Sequence, residues 1–347
     1  MSRPISCTMS RRILSLREYD FVSAAWLLAV ALGLIAHPAA AQERAALAGH
    51  KAWVTSLAFS ADGARLISGG GQSLLLLPGE AKVWNMADSK ELLNLAGLDS
   101  TVWTVAISPS GALLATGTYN KGLNLWDAAT GSAKPPLEGE AHKNWVTCVR
   151  FSPDGKTLAS ASEDGTIKLW DVDTNKLKST LAGHTANVRC IAFSPDGATL
   201  ASASYDMTLK LWDVAAAKER DNGTLKGHTD AVWTVAYSPD GARLASGGAD
   251  RLVKLWDVAM LKEAASFKPH TDWVTGVAFT PDGKLLATSS FDRTIKIWNP
   301  AAVDKPVADL VGHKSTVWAI AISADGKTLA SGSQDATIKL WNMPASP

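Results

Sequence analysis

The sequence predicts an all-β chain of seven like units, each the four-stranded antiparallel sheet of a propeller blade, and three regularities carry that reading. Tryptophan recurs at 84, 126, 170, 212, 256, 298 and 341, at spacings of 42 to 44 residues. Twenty-eight residues ahead of the last six stand Leu98, His142, His184, His228, His270 and His313. Between these marks one hairpin signature returns seven times, as SADG, SPSG, SPDG, SPDG, SPDG, TPDG and SADG. A fixed period of this length, with several short strands per repeat, marks sheets that bury their faces only by stacking on their neighbours.

The first 41 residues stand outside the period. Arg3, Arg11, Arg12 and Arg17 precede an uncharged apolar run over 21–36, and Ala39 and Ala41 follow. The run is shorter than the roughly 20 residues of a bilayer span, and the pattern is that of a secretory signal cut before Gln42. Retention as an uncleaved anchor is the alternative. Arg11 and Arg12 leave a twin-arginine route open, although Glu18 and Asp20 interrupt it. Without a cysteine after the apolar run, a lipid-anchored lipoprotein is excluded. The expected product, 42–344 with a tail at 345–347, is an exported monomer, periplasmic or extracellular, with no stable membrane span.

Within a unit, residues 149–162 read as strand, turn and strand: Pro153 presets φ, Asp154 accepts the next position and Gly155 takes a positive φ. TIKLWD follows as a third strand after a tight turn at Glu163 to Gly165, and KLKSTL as a fourth. The units fall at about 47–85, 95–127, 138–171, 181–213, 225–257, 267–299 and 310–342. In the first, His50 lies 34 residues before Trp84, so six extra residues have entered within GGGQSLLLLPGEAK. Leu74 to Leu77 in this insertion either cover the channel mouth or dock a partner.

The succession of GH, a hairpin and SxSxDxTIKLWD resembles the WD40 repeat, over seven aligned copies and essentially all of residues 42–343. The resemblance implies a closed ring of seven blades. The last unit ends after three strands and QERAALAGH supplies one strand too many, so residues 43–48 are expected to form the outer strand of the last blade, removing open edges.

It also implies a hydrogen-bonded chain of Trp, Ser or Thr, His and Asp in each blade. The sequence matches it as His142, Ser162, Asp164 and Trp170; His184, Ser204, Asp206 and Trp212; His270, Ser290, Asp292 and Trp298; and His313, Ser333, Asp335 and Trp341. Unit one offers Gly70 and Gln72, unit two Leu98, Thr118 and Asn120, and unit five Gly248 before Asp250, so these blades are expected to be less rigid. The indole donates, the hydroxyl relays and the imidazole passes its other proton to the carboxylate. A nucleophilic triad is disfavoured, because the set recurs across blades with no oxyanion hole. Apart from His37 in the leader, every histidine occupies the repeat position, so no metal site and no cofactor are expected.

Counted from the histidine position, Trp53, Trp145 and Trp273 stand at plus three and Trp103, Trp233 and Trp318 at plus five, around a valine that is present at plus four in all seven units. Strand alternation puts the valine on one face and the flanking pair on the other. The WD40 resemblance implies that these positions, with Tyr119, Tyr205, Phe291, Glu163 and Gln334 at the turn, surround the top entrance of the channel. Unit four breaks the pattern with Asn187 and Arg189, the latter a cation beside Glu163 able to orient a carboxylate or peptide backbone. Packing between blades is the alternative role for the tryptophans. Cys148 and Cys190 share the plus-six position in neighbouring blades and read as two buried thiols; a disulfide between them in an oxidising compartment is the alternative, disfavoured because adjacent blades rarely bring Cα atoms within range.

Charge separates the function classes. Lys and Arg number 34 against 33 Asp and Glu in 347 residues, and removing the leader leaves 30 against 31, which disfavours a nucleic-acid partner. The expected function is a non-catalytic scaffold holding a protein or peptide at the aromatic entrance. A carbohydrate-binding propeller and, behind it, a propeller enzyme are the alternatives.

Overall fold

A computed structural model describes residues 42–72 and 78–345. The leader, its cleavage before Gln42, Leu74 to Leu77 and the last two residues lie outside that range. After β1 (Glu43–Leu47), blade one comprises β2 (Val54–Phe59), β3 (Arg65–Gly70), β4 (Glu80–Asn85) and β5 (Glu91–Asn94), and blade two β6 (Val102–Ile107), β7 (Leu113–Thr118) and β8 (Leu123–Asp127). Blade three holds β9 (Val146–Phe151), β10 (Thr157–Ser162), β11 (Thr166–Asp171) and β12 (Leu177–Ala182); blade four β13 (Val188–Phe193), β14 (Thr199–Ser204), β15 (Thr208–Asp213) and β16 (Lys218–Lys226). Blade five holds β17 (Val232–Tyr237), β18 (Arg243–Gly248), β19 (Val253–Asp257) and β20 (Lys262–Phe267); blade six β21 (Val274–Phe279), β22 (Leu286–Ser290), β23 (Thr294–Trp298) and β24 (Ala308–Val311). Blade seven is β25 (Val317–Ile322), β26 (Thr328–Ser333) and β27 (Ile338–Asn342).

Every strand pair is antiparallel, and Glu138 makes one parallel bridge to Lys176. The first strands of neighbouring blades touch one another around the axis, and β25 meets β2 to close the ring. The outer edge of blade seven is taken by β1, with Leu47 opposite Ile338 and Ala46 opposite Lys339, as the chain ends imply. Blade two departs from the four-stranded expectation. Its fourth position holds only a bridge from Trp126 to Ala133, after which Pro135 and Pro136 have no N–H for a ladder. The chain then joins blade three, where the Glu138 amide donates to Asn175 O. Among the described residues no helix is long and apolar enough to cross a membrane.

Seven apolar clusters each join two neighbouring blades; one runs from Leu169 and Leu181 of blade three to Ile191, Leu200 and Trp212 of blade four. The plus-four valine has a fixed part in this packing. Each is fully buried, and Val146, Val274 and Val54 fit against Gly117, Gly247 and Gly332 of the preceding blade, where a Cβ would come within about 2.5 Å of the valine methyl. Hairpin turns repeat as the sequence implies. Gly155 sits at φ +74° and donates its amide to Ser152 O, while Asp154 Oδ1 accepts from the Lys156 amide.

The hydrogen-bonded tetrads use a different hydroxyl from the one the sequence suggests. In blade three Trp170 Nε1 donates to Ser160 Oγ at 2.9 Å, Ser160 Oγ meets His142 Nε2 at 2.8 Å, and His142 Nδ1 donates to Asp164 at 3.0 Å. The equivalents are Ser202, Thr288 and Ser331 in blades four, six and seven, in place of Ser204, Ser290 and Ser333. The reason is register: Trp170 lies opposite Leu158, so its indole reaches residue 160, whereas residue 162 has already arrived at the turn. Ser162 instead donates to Asn144 O and accepts from the Asp164 amide, and Ser204 and Ser333 behave alike.

The same correction restores two blades expected to be incomplete. Blade five has Trp256, Ser246, His228 and Asp250 in full. Blade one has Trp84, Ser68 and His50, with Glu80 beyond the insertion standing where aspartate was sought, 3.1 Å from His50 Nδ1. Only blade two is truncated: Trp126 donates to Thr116, and Leu98 is buried at the histidine position.

Burial pushes the tetrad carboxyls up, yet their hydrogen bonds outweigh it. Contacts from Thr337, the Lys314 amide and His313 hold Asp335 down to about 2. Asp164, Asp206 and Asp292 are lowered by the same kind of partners. His313 is lowered by burial despite Asp335.

Candidate functional site

The first strands enclose a central channel of about 700 Å³. At one end its wall carries Trp103, Arg189, Trp233 and Trp318. Two local features aim side chains at this mouth. Every first strand is bulged between plus four and plus six, so the plus-five residue is the extra one, and a bulge re-aims its side chain. The turn residue is tied alongside, because its amide donates to the plus-three carbonyl: Tyr119 to Thr101, Glu163 to Trp145, Tyr205 to Asn187, Phe291 to Trp273 and Gln334 to Thr316.

The nine expected aromatics form one connected set. Trp53 stacks on Trp318 with centroids 6.1 Å apart, and Trp103 on Trp145 at 6.3 Å, nearly parallel. Trp318 also meets Trp103, Trp233 and Phe291. Trp273 contacts Trp233 and Phe291, Tyr119 lies 3.8 Å from Trp145, and Tyr205 adjoins Trp233. Trp273 is 38% exposed and the other five tryptophans are half-buried. The inter-blade clusters hold none of these side chains, so their packing is with one another across the mouth.

Arg189 is held more tightly than the sequence suggests. Its guanidinium carbon lies 5.0 Å from the Trp103 centroid and 4.9 Å from that of Trp233, a double cation–π contact. Burial raises the Glu163 carboxyl, and the charge of Arg189 nearby opposes it. Burial likewise raises the Tyr205 phenol. Gln334 accepts from Ser315 Oγ.

The mouth is rich in unpaired donors. Among the described residues Trp103 Nε1 and Trp318 Nε1 are buried without a partner, and the Arg189 guanidinium has ring faces but no acceptor. What the sequence did not disclose is the role of the small plus-five residues. Thr55, Thr147 and Thr275 donate to the carbonyls of Val102, Val188 and Val317 in the next blade, each at 2.5 Å. They pin the rim and leave room for a neighbour's tryptophan or arginine. All six described histidines are committed to tetrads, so no imidazole reaches the mouth. Among the described residues no three His, Cys, Asp or Glu side chains cluster as metal ligands.

A ring of seven blades, tied by Trp–Ser/Thr–His–acid chains and opening on a channel, defines a WD40-type β-propeller. The WD domain, G-beta repeat family matches at residues 41–85, 89–127, 134–171, 175–213, 220–257, 261–299 and 304–342, and the chain belongs to that family. Relatives include the small ribosomal subunit protein RACK1z of Arabidopsis thaliana, 33% identical over 104 residues and 29% of each chain. Eukaryotic translation initiation factor 3 subunit I of Aspergillus terreus is 33% identical over 85 residues, 24% of each chain. These matches span less than a third of the relatives' length.

Proposed function

We propose that this protein is a non-catalytic interaction scaffold that holds a protein or peptide segment at the aromatic mouth of its channel. The observation that carries the reading is the mouth itself: nine aromatic side chains and Arg189 packed against one another, with two indole N–H groups and a guanidinium lacking acceptors among the described residues. Tryptophans present large apolar area with little side-chain entropy to lose, the character of binding hot spots. A peptide supplies what the site lacks, because its carbonyls or a carboxylate accept from Arg189 and the indoles while its side chains stack on the rings.

The names of the relatives are those of a ribosomal subunit protein and of a subunit of an initiation factor, which supports membership of an assembly. The basic and then apolar leader supports export. Photo-crosslinking tests the location. A benzophenone side chain at Trp273 is expected to capture a protein segment, while one at Val311, exposed on the outer strand of blade six, captures none. Capture at Val311 alone would move the site to the rim, and capture of glycan without protein would favour the carbohydrate reading.

A further inference from the structure

Cys148 and Cys190 line the channel below the mouth, in the first strands of blades three and four. Their repeat position has a defined structural duty. Ser56, Thr104 and Thr234 each accept, through the side-chain oxygen, the amide of the plus-seven residue in the next blade. Cys148 follows them, its Sγ 3.4 Å from the Ile191 amide. Cys190 does not: its thiol lies 3.7 Å from Val235 O and 3.9 Å from Ile191 O. The Cys148 thiol lies 3.8 Å from that same Ile191 carbonyl, so both sulfurs gather on one peptide group.

A third group faces them. Arg150 donates to Val149 O and pairs with no carboxylate among the described residues; the anionic forms of the two thiols are the charges that act on it. Two thiols gathered on one carbonyl, beside a guanidinium with no carboxylate partner among the described residues, on the wall of the channel, are more than two small buried side chains.

We infer that Cys148 and Cys190 are a cross-blade dithiol that a small-molecule disulfide entering the channel converts to a Cys148–Cys190 disulfide. Cys148 Sγ accepts from the Ile191 amide, which favours its thiolate, whereas Cys190 Sγ has only carbonyl oxygens beside it, so Cys148 attacks first. Its thiolate breaks the reagent's S–S bond, forms a mixed disulfide and releases one small thiolate, which takes up the proton Cys148 lost. Cys190 then gives up its proton and attacks Cys148 Sγ, displacing the second small thiol. The protein loses two hydrogens and two electrons, and the reagent is reduced to two thiols.

The test uses the full chain with 2-hydroxyethyl disulfide as oxidant, followed by denaturation, alkylation and tryptic mass mapping. Cleavage places Cys148 on 144–150, Cys190 on 190–210 and Cys7 on 1–11. The expected result is loss of the alkylated 144–150 and 190–210 peptides in favour of one linked species lacking two hydrogens. C148S and C190S should each carry a mixed disulfide on the remaining channel cysteine. Separate mixed disulfides on both cysteines of the wild type, linkage of either to Cys7, or complete alkylation of both would overturn the inference. Because the wild-type map decides the matter, a variant that fails to fold does not obscure it, and the result is independent of partner binding at the mouth.

Discussion

Removing the hydroxyl of Ser160 should destabilise the ring far more than removing that of Ser162, two residues further along the same strand. Ser160 Oγ accepts from Trp170 Nε1 and donates to His142 Nε2. Both partners are at most 5% exposed, so Ser160→Ala strands one buried donor and one buried acceptor at once. Each such group costs about 1–3 kcal/mol, giving a loss of roughly 2–6 kcal/mol. For a domain of this size that corresponds to a melting temperature lower by about 3–10 °C. Ser162→Ala removes bonds to Asn144 O and the Asp164 amide at the edge of the turn. Its cost should be nearer about 1 kcal/mol, the worth of an ordinary hydrogen bond. Glycine already stands at the equivalent positions 70 and 248, in blades whose tetrads are whole. Thermal and urea denaturation followed by near-UV circular dichroism read the difference. Equal losses, or a larger one for Ser162→Ala, would refute the hydrogen-bond assignment.

Two further outcomes follow from the same tetrads. His313 is lowered in the fold, so the unfolded chain binds its proton more readily and stability should begin to fall as pH drops below 6.5; Asp335, lowered from 3.8, should add a further loss as pH falls through 3.8 towards about 2, and a urea midpoint unchanged from pH 7 to pH 3 would contradict this. Amide exchange should be fastest in blade two, which lacks both the histidine link and a full fourth strand, while blade one, completed by Glu80, should match blades three and four. Uniform protection around the ring would count against it.

The repeat made the fold legible, because a 42- to 44-residue period with a hairpin in every copy leaves few other arrangements. Even the closing strand could be read, since one end of the chain lacked a strand and the other had one to spare. The tetrad hydroxyl was not legible, because Ser160 and Ser162 share a face and only the opposition of Trp170 to Leu158 distinguishes them. Glu80 was hidden by the insertion, which moved the acid away from its expected place. Tryptophan positions located the mouth, but the bulge that turns Arg189 between Trp103 and Trp233 leaves no mark in residue types, so its clamp could not be foreseen. The missing outer strand of blade two did leave a mark, in Pro135 and Pro136.

The most direct test of the scaffold reading is retention of partner protein from native envelope extract by the wild type and by Trp233→Ala with Trp318→Ala, both first verified as folded. Trp318 and Trp233 each touch four rings of the mouth, but neither belongs to an inter-blade core. The double variant should therefore keep its β-sheet signal and thermal transition while losing the retained protein. Retention equal to the wild type, or collapse of the folded ring itself, would contradict the account.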